Sequence, residues 1–215
     1  MHRNSQKRFY NKGHTYFITT KTYQSYPYFE EEIFCELFIE ELKLCKKLKG
    51  FELYAFGLNY DHFHLVLRPN DEVNISKVMQ SIKRNFSRDV NKIISTNEGD
   101  IPQCRRPSGI DHHNHIGDNM DYRLQISRDV AFRKVGEKHF KILKNLKQQF
   151  IQKHGTSQFK FPKFKWQKSF HDHVIRNQKD FDHHCHYAAY NFIKHQLPEN
   201  WKYTSLHYPD LIDPS

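Results

Sequence analysis

Between residues 14 and 22 the chain reads His-Thr-Tyr-Phe-Ile-Thr-Thr-Lys-Thr, a short β-branched and aromatic run that predicts a first strand. A turn at Ser25-Tyr26-Pro27 follows, and over 29–49 the residues Phe34, Leu37, Phe38, Leu42, Cys45 and Leu48 recur at helical spacing. Glu30, Glu31 and Glu32 lead that helix and Lys43, Lys46, Lys47 and Lys49 close it. This order complements a helix dipole, and Gly50 is placed as the C′ stop. Two strand-like runs, 51–58 and 62–68, are joined by Asn59-Tyr60-Asp61, a hairpin-length link that predicts antiparallel neighbours, and Pro69 ends the second. After Asn74-Ile75-Ser76 a second helix is predicted, because Val78, Ile82, Phe86 and Val90 recur every four residues while Lys77, Lys83, Arg84 and Arg88 lie off that row. The order strand, helix, strand, strand, helix is most of a split βαβ sandwich.

The stretch from about 95 to 121 is polar and punctuated by Gly99, Pro102, Pro107, Gly109 and Gly117, so it reads as an exposed loop. A basic amphipathic helix is predicted over 137–153, with Phe140, Leu143, Leu146 and Phe150 on one side. Residues 164–176 look strand-like, and a last helix spans 178–195, closed by Pro198. The expected architecture is α+β, a ferredoxin-like or RRM-like sandwich whose central antiparallel sheet carries helices on one face. Residues 1–215 form a single domain in this reading, with 95–161 inserted as a mobile loop plus a basic helix.

Composition narrows the partners. Lys plus Arg number 34 against 24 Asp plus Glu, a formal charge of +10, which points to a polyanion, nucleic acid first and an anionic membrane surface second. No run approaches the roughly 20 apolar residues of a membrane span, and the basic start leads into no apolar signal segment, so no membrane partner and a cytoplasmic, nucleoid-associated location are expected. Cys35, Cys45, Cys104 and Cys185 form no Cys-x-x-Cys pair, which argues against a disulfide framework or a structural zinc site. Aromatics reach 15% of the chain, so Phe and Tyr must supply much of the core.

Sixteen histidines include four His-x-His pairs where random placement predicts roughly one. Their contexts differ. His62 and His64 open the apolar run Leu65-Val66-Leu67, and on a strand they face one side about 6.6 Å apart, within reach of a single ion. Such a pair leaves a divalent ion open positions for a phosphate oxygen and water. His184 and His186 sit two apart on the last helix and diverge, while His113 and His115 lie in the polar loop. His171 and His173 flank Asp172, which suits a surface or supporting role. A single histidine is ordinarily just a hydrogen-bonded or solvated side chain.

The ordered set of a hydrophobic strand with His62-Phe63-His64, then Trp166-Gln167, Phe170, Asp172-His173, Ile175-Arg176, Tyr187 and Asn191 resembles the single-tyrosine HUH transposases, most closely the REP-associated (IS200-like) branch. The resemblance covers roughly 9–94 and 164–208. It implies that His62, His64 and Asn191 hold a divalent cation, Mg²⁺ or Mn²⁺, and that Tyr187 attacks a single-stranded DNA phosphate. It also implies DNA transposition at hairpin ends through a 5′-phosphotyrosine. Tyr187 and Asn191 are i and i+4, so one helix face presents both; Tyr190 with Lys194 makes a rival pair. A phenol with a pKa of about 10 needs a polarised phosphate and a positive surround. Phe192 stands where many members have proline, and the insertion is longer than the family pattern.

Basic residues alternate with aromatics at Lys163, Lys165 and Trp166, a pattern suited to neutralising a backbone and stacking on unpaired bases. Arg8, Lys83, Arg84, Arg176, Lys194 and Trp201 complete the expected DNA surface, on single-stranded or hairpin DNA. An ordinary solvated strand and a soluble basic arm explain the same residues without DNA. The rival readings are a catalytically silent nucleic-acid-binding module and an HUH replication initiator or relaxase. Monomer and homodimer both stay open.

Overall fold

The computed structural model describes residues 13–95, 120–155 and 161–214. They divide into two compact units, one holding the described residues up to Arg88 and from Phe164 onward, the other those from Asp89 to Lys163.

The first unit is built on a four-stranded antiparallel sheet in the order β2-β3-β1-β4, with β1 at Tyr16–Lys21, β2 at Glu52–Leu58, β3 at His62–Arg68 and β4 at His171–Val174. The 59–61 link makes the hairpin between β2 and β3, as its length predicts, closed by Asn59 N–H donating to the His62 carbonyl at 2.8 Å. Helix α1, Glu32–Lys49, ends on Gly50, whose φ of 64° is the left-handed conformation that lets its N–H reach the Lys46 carbonyl at 2.8 Å. A 3₁₀ turn at Tyr28–Glu30 precedes it, so the helix starts later than the sequence pattern implies. Helix α2 runs Ile75–Ile94.

Alternation along β3 sorts its side chains to two faces. Phe63 points to α1 and α2: its ring lies 4.6 Å from Phe38, which is 5.5 Å from Phe86. Phe29, Phe164 and Trp166 extend this cluster, each pair worth about 0.5–1.5 kcal/mol beyond its burial. The other face carries His62, His64 and Val66. It is covered by a further helix, α4 at Gln178–Lys194, whose Ala188 packs with Tyr54, Ala55 and Val66. The sandwich helices share one face as expected, and the tyrosine-bearing helix takes the opposite one.

The segment 164–176 is only in part a strand. Beyond an isolated bridge between Thr22 and Trp166, regular pairing is confined to β4. Upstream of β4 the backbone groups pair singly: Gln167 N–H donates to the Lys21 carbonyl at 2.9 Å, the Lys165 carbonyl accepts from Tyr23 N–H at 2.8 Å, and the Gln167 and Ser169 carbonyls each accept from Lys83 Nζ at 2.9 Å.

In the second unit, helix α3 runs Met120–His154, well upstream of the start that the apolar spacing implies. Its Leu143, Leu146 and Phe150 are buried, and the Phe150 ring meets Phe161 at 5.4 Å. Asp89 is fully buried and paired to Lys92 at 2.8 Å and His139 at 3.0 Å. The loop residues 96–119, with His113, His115 and all five of the named glycines and prolines, lie outside the described residues, as does Arg8. Among the described residues no helix is long and apolar enough to cross a membrane.

Gly57 decides how closely α4 approaches the sheet. A Cβ there would sit 2.1 Å from the Ala188 carbonyl oxygen. Gly57→Ala is therefore expected to lower stability by about 1–3 kcal/mol, measured by urea unfolding, because α4 must lift off β2.

Candidate metal and nucleophile site

His62 and His64 are both 4% exposed on β3, their rings 5.0 Å apart, so the pair is buried under α4 rather than open on a sheet. Each ring is held from its outer nitrogen. His62 Nδ1–H donates to Asp61 Oδ1 at 2.5 Å, and His64 Nδ1 lies 2.8 Å from Thr19 Oγ1, its cross-strand partner on β1. With the His64 Nδ1–H donating, both Nε2 lone pairs turn inward, the tautomer a metal ligand needs.

Opposite them, Asn191 is buried on α4. The Asn59 amide donates to Asn191 Oδ1 at 2.8 Å and to His62 Nε2 at 3.1 Å, so two lone pairs from different elements converge on one N–H₂ group. His64 Nε2 is buried without a hydrogen-bond partner. An orphaned imidazole nitrogen beside two converging acceptors is costly unless something electropositive serves it, and two imidazoles with an amide oxygen suit a divalent cation. The residues present fit such an ion.

The electrostatics agree. Burial lowers the His64 pKa to about 3, reinforced by the charges of His62 and His195, so the ring stays neutral. Burial also lowers His195, again with His62 contributing. Burial pushes the Asp61 carboxyl up, but the hydrogen bonds from His62 and Ser25 outweigh it and bring the carboxyl below its usual value. An unfolded chain protonates His64 near 6.5 and the folded one only near 3, so the unfolded state binds more protons between these values. Stability of the metal-free chain should fall as pH drops through that window, by at most about 1.4 kcal/mol per pH unit from this residue. Urea unfolding at several pH values reads the slope, which His64→Gln should flatten.

Tyr187 is half-buried, its ring edge-on to His64 at 5.2 Å and to Phe17 at 5.8 Å. Lys194 Nζ lies 3.5 Å from its hydroxyl and 5.3 Å from its ring centre, which puts a positive charge beside the phenol oxygen. Tyr190 faces away: it is 40% exposed and stacked on His186 at 4.5 Å. Helix α4 lies on its own sheet, so these groups meet within one chain.

The expected DNA residues separate into two kinds. Lys165, Arg176 and Lys194 are exposed, as is Lys163 in its own unit. Trp166 is instead a wedge, its ring against Phe86, Phe164 and Phe63 and its indole N–H donating to the Lys83 carbonyl at 3.0 Å. Lys83 spends its ammonium on two carbonyls. Trp201 donates to the Leu58 carbonyl at 2.9 Å and meets Tyr60 edge-on. Lys83 and Arg84 line an open cavity of about 570 Å³ shared with Lys77, Lys168 and Trp166.

Four side chains at the site escaped the sequence reading, Thr19 on β1 among them. His195 places its ring 4.8 Å from His62, and its spacing of four from Asn191 was the available signal. Asn59 and Asp61 belong to the hairpin link, where turn chemistry explains their residue types without any site.

Residues 10–100 match the family Transposase IS200 like. The chain is 40% identical over 45 residues to a Haemophilus influenzae protein described as a REP-associated tyrosine transposase, a match spanning 20% of this chain and 26% of that relative. A solved REP-associated tyrosine transposase bound to a REP hairpin has a TM-score of 0.47 and 18% identity, over 98% of this chain and 89% of that one.

Proposed function

We propose, from the match of residues 10–100 to the family Transposase IS200 like, that this protein cleaves and rejoins single-stranded DNA at hairpin ends through a tyrosine. The observation that carries the reading is the placement of the Tyr187 ring against His64 while His62 Nε2 and Asn191 Oδ1 converge beside it. His62, His64 and Asn191 would hold the cation, Mg²⁺ or Mn²⁺, and Asp61 and Thr19 orient the two rings. Bound there, the ion supplies Lewis-acid polarisation of a phosphate oxygen.

The Tyr187 oxygen attacks phosphorus and gives up its proton, the P–O3′ bond breaks, and the departing 3′ oxygen is protonated. Lys194 lies where it stabilises charge on the phenol oxygen. The resulting 5′-phosphotyrosine ester keeps the bond energy, so another strand's 3′-OH can reverse the step without ATP. Exposed Lys165 and Arg176 suit backbone contacts, and the packing of the half-buried Trp166 ring on Phe86 and Phe164 supports a role in shaping the domain rather than stacking on bases.

Incubating the chain with 3′-labelled hairpin DNA tests this. A covalent species on a denaturing gel that needs Mn²⁺ or Mg²⁺ and disappears with chelator is expected. Binding without an adduct, indifferent to metal, would instead identify a catalytically silent nucleic-acid-binding module.

A further inference from the structure

A second constellation lies on the same helix, outside the catalytic cluster. Asn177 caps α4, its side chain accepting from Asp180 N–H at 2.9 Å, and only the three residues 175–177 link β4 to the helix. That short link sets Asp180 beside the strand, and His184 follows at i+4 on the same helix face. His173 sits opposite Phe17 in the β1–β4 register. One nitrogen from each of His173 and His184 and an oxygen of Asp180 lie within 4.8 Å of one another.

The carboxylate is bridged by both rings. Asp180 Oδ2 is 2.9 Å from His173 Nε2, and His184 Nδ1 lies 3.0 Å from Oδ1 and 2.8 Å from the Asp180 backbone carbonyl, the bond an ion at this nitrogen would replace. The rings stack at 4.7 Å with 21° between their planes. Phe17 then touches His184 at 4.6 Å, His64 at 5.2 Å and Tyr187 at 5.8 Å, so one aromatic ring separates this cluster from the nucleophile.

We propose that His173, Asp180 and His184 form a second cation site, a clamp that ties the start of α4 to β4 and so fixes where Tyr187 stands. Two imidazoles and a carboxylate match a borderline transition ion such as Zn²⁺ far better than Mg²⁺. Ligand bonds of ~2.1 Å require only small movements from the present spacing, with each ring adopting the tautomer that frees its inner nitrogen. The side chains of His173, Asp180 and His184 are 40%, 21% and 17% exposed, which leaves room for the ion to enter and for water to complete a tetrahedron. Cation binding at these three residues does not depend on the catalytic reading; only the consequence for Tyr187 rests on it.

Co²⁺ and Zn²⁺ titrations of the full chain test it. In a His62→Ala/His64→Ala variant, one stoichiometric Co²⁺ with a tetrahedral visible band is expected, displaced by Zn²⁺. Adding His184→Gln or His173→Gln should remove it, and Asp180→Asn should weaken it by at least about tenfold. An absent stoichiometric ion, or one that survives both glutamine changes, overturns the proposal. If circular dichroism shows the double variant unfolded, His184→Gln in the otherwise unchanged chain decides. It should bind one ion fewer, and an unchanged count overturns the site. The adduct assay is scored separately, so the two proposals fail independently.

Discussion

Replacing Tyr187 with Phe should abolish the covalent DNA adduct, a loss of roughly a thousandfold or more, the scale of removing a nucleophile. The substitution deletes one oxygen from a half-buried ring whose edge-on contacts with His64 and Phe17 remain, so thermal stability and hairpin binding should hardly change. Tyr190→Phe is the control. That ring sits 40% exposed on His186, away from the paired imidazoles, and its loss should leave the adduct intact. An adduct persisting in Tyr187→Phe and vanishing in Tyr190→Phe would transfer the role and require α4 to rotate from the position described.

The second large effect is expected from the imidazoles. His64→Ala removes the buried nitrogen that has no other partner, and His62→Ala removes one of the two lone pairs that meet at Asn59. Either change should eliminate metal-dependent adduct formation, and raising Mn²⁺ should restore little. Asp61→Asn is graded by comparison. It keeps the shape and loses the charge behind His62, for which about 10–100-fold weaker metal dependence is expected, measured as the Mn²⁺ concentration giving half-maximal adduct. Full activity with both histidines replaced would refute the site.

The histidine pair was legible because strand periodicity alone puts His62 and His64 on one side, and an apolar run with a following proline marks the strand without ambiguity. Tyr187 and Asn191 were legible as a helical i, i+4 pair, with their roles supplied by resemblance. His195 could have been found by continuing that row one step. Asn59 could not: its position in a hairpin link accounts for its identity, and only the return of α4 over the sheet brings Asn191 within 2.8 Å of it. Trp166 illustrates the opposite failure. A tryptophan among lysines has the composition of a stacking platform, yet its neighbours in space are phenylalanines from three separate elements.

Local chemistry by itself determined the α+β order, the β2–β3 hairpin, the Gly50 stop and the facing of the two imidazoles, since each follows from neighbours a few residues apart. Only the tertiary structure decided which face α4 covers, that Tyr187 rather than Tyr190 meets His64, and that His173 joins Asp180 and His184. Those outcomes rest on contacts between segments far apart in sequence, above all the close approach of Ala188 to Gly57. No periodicity along one segment records which distant surface it will bury.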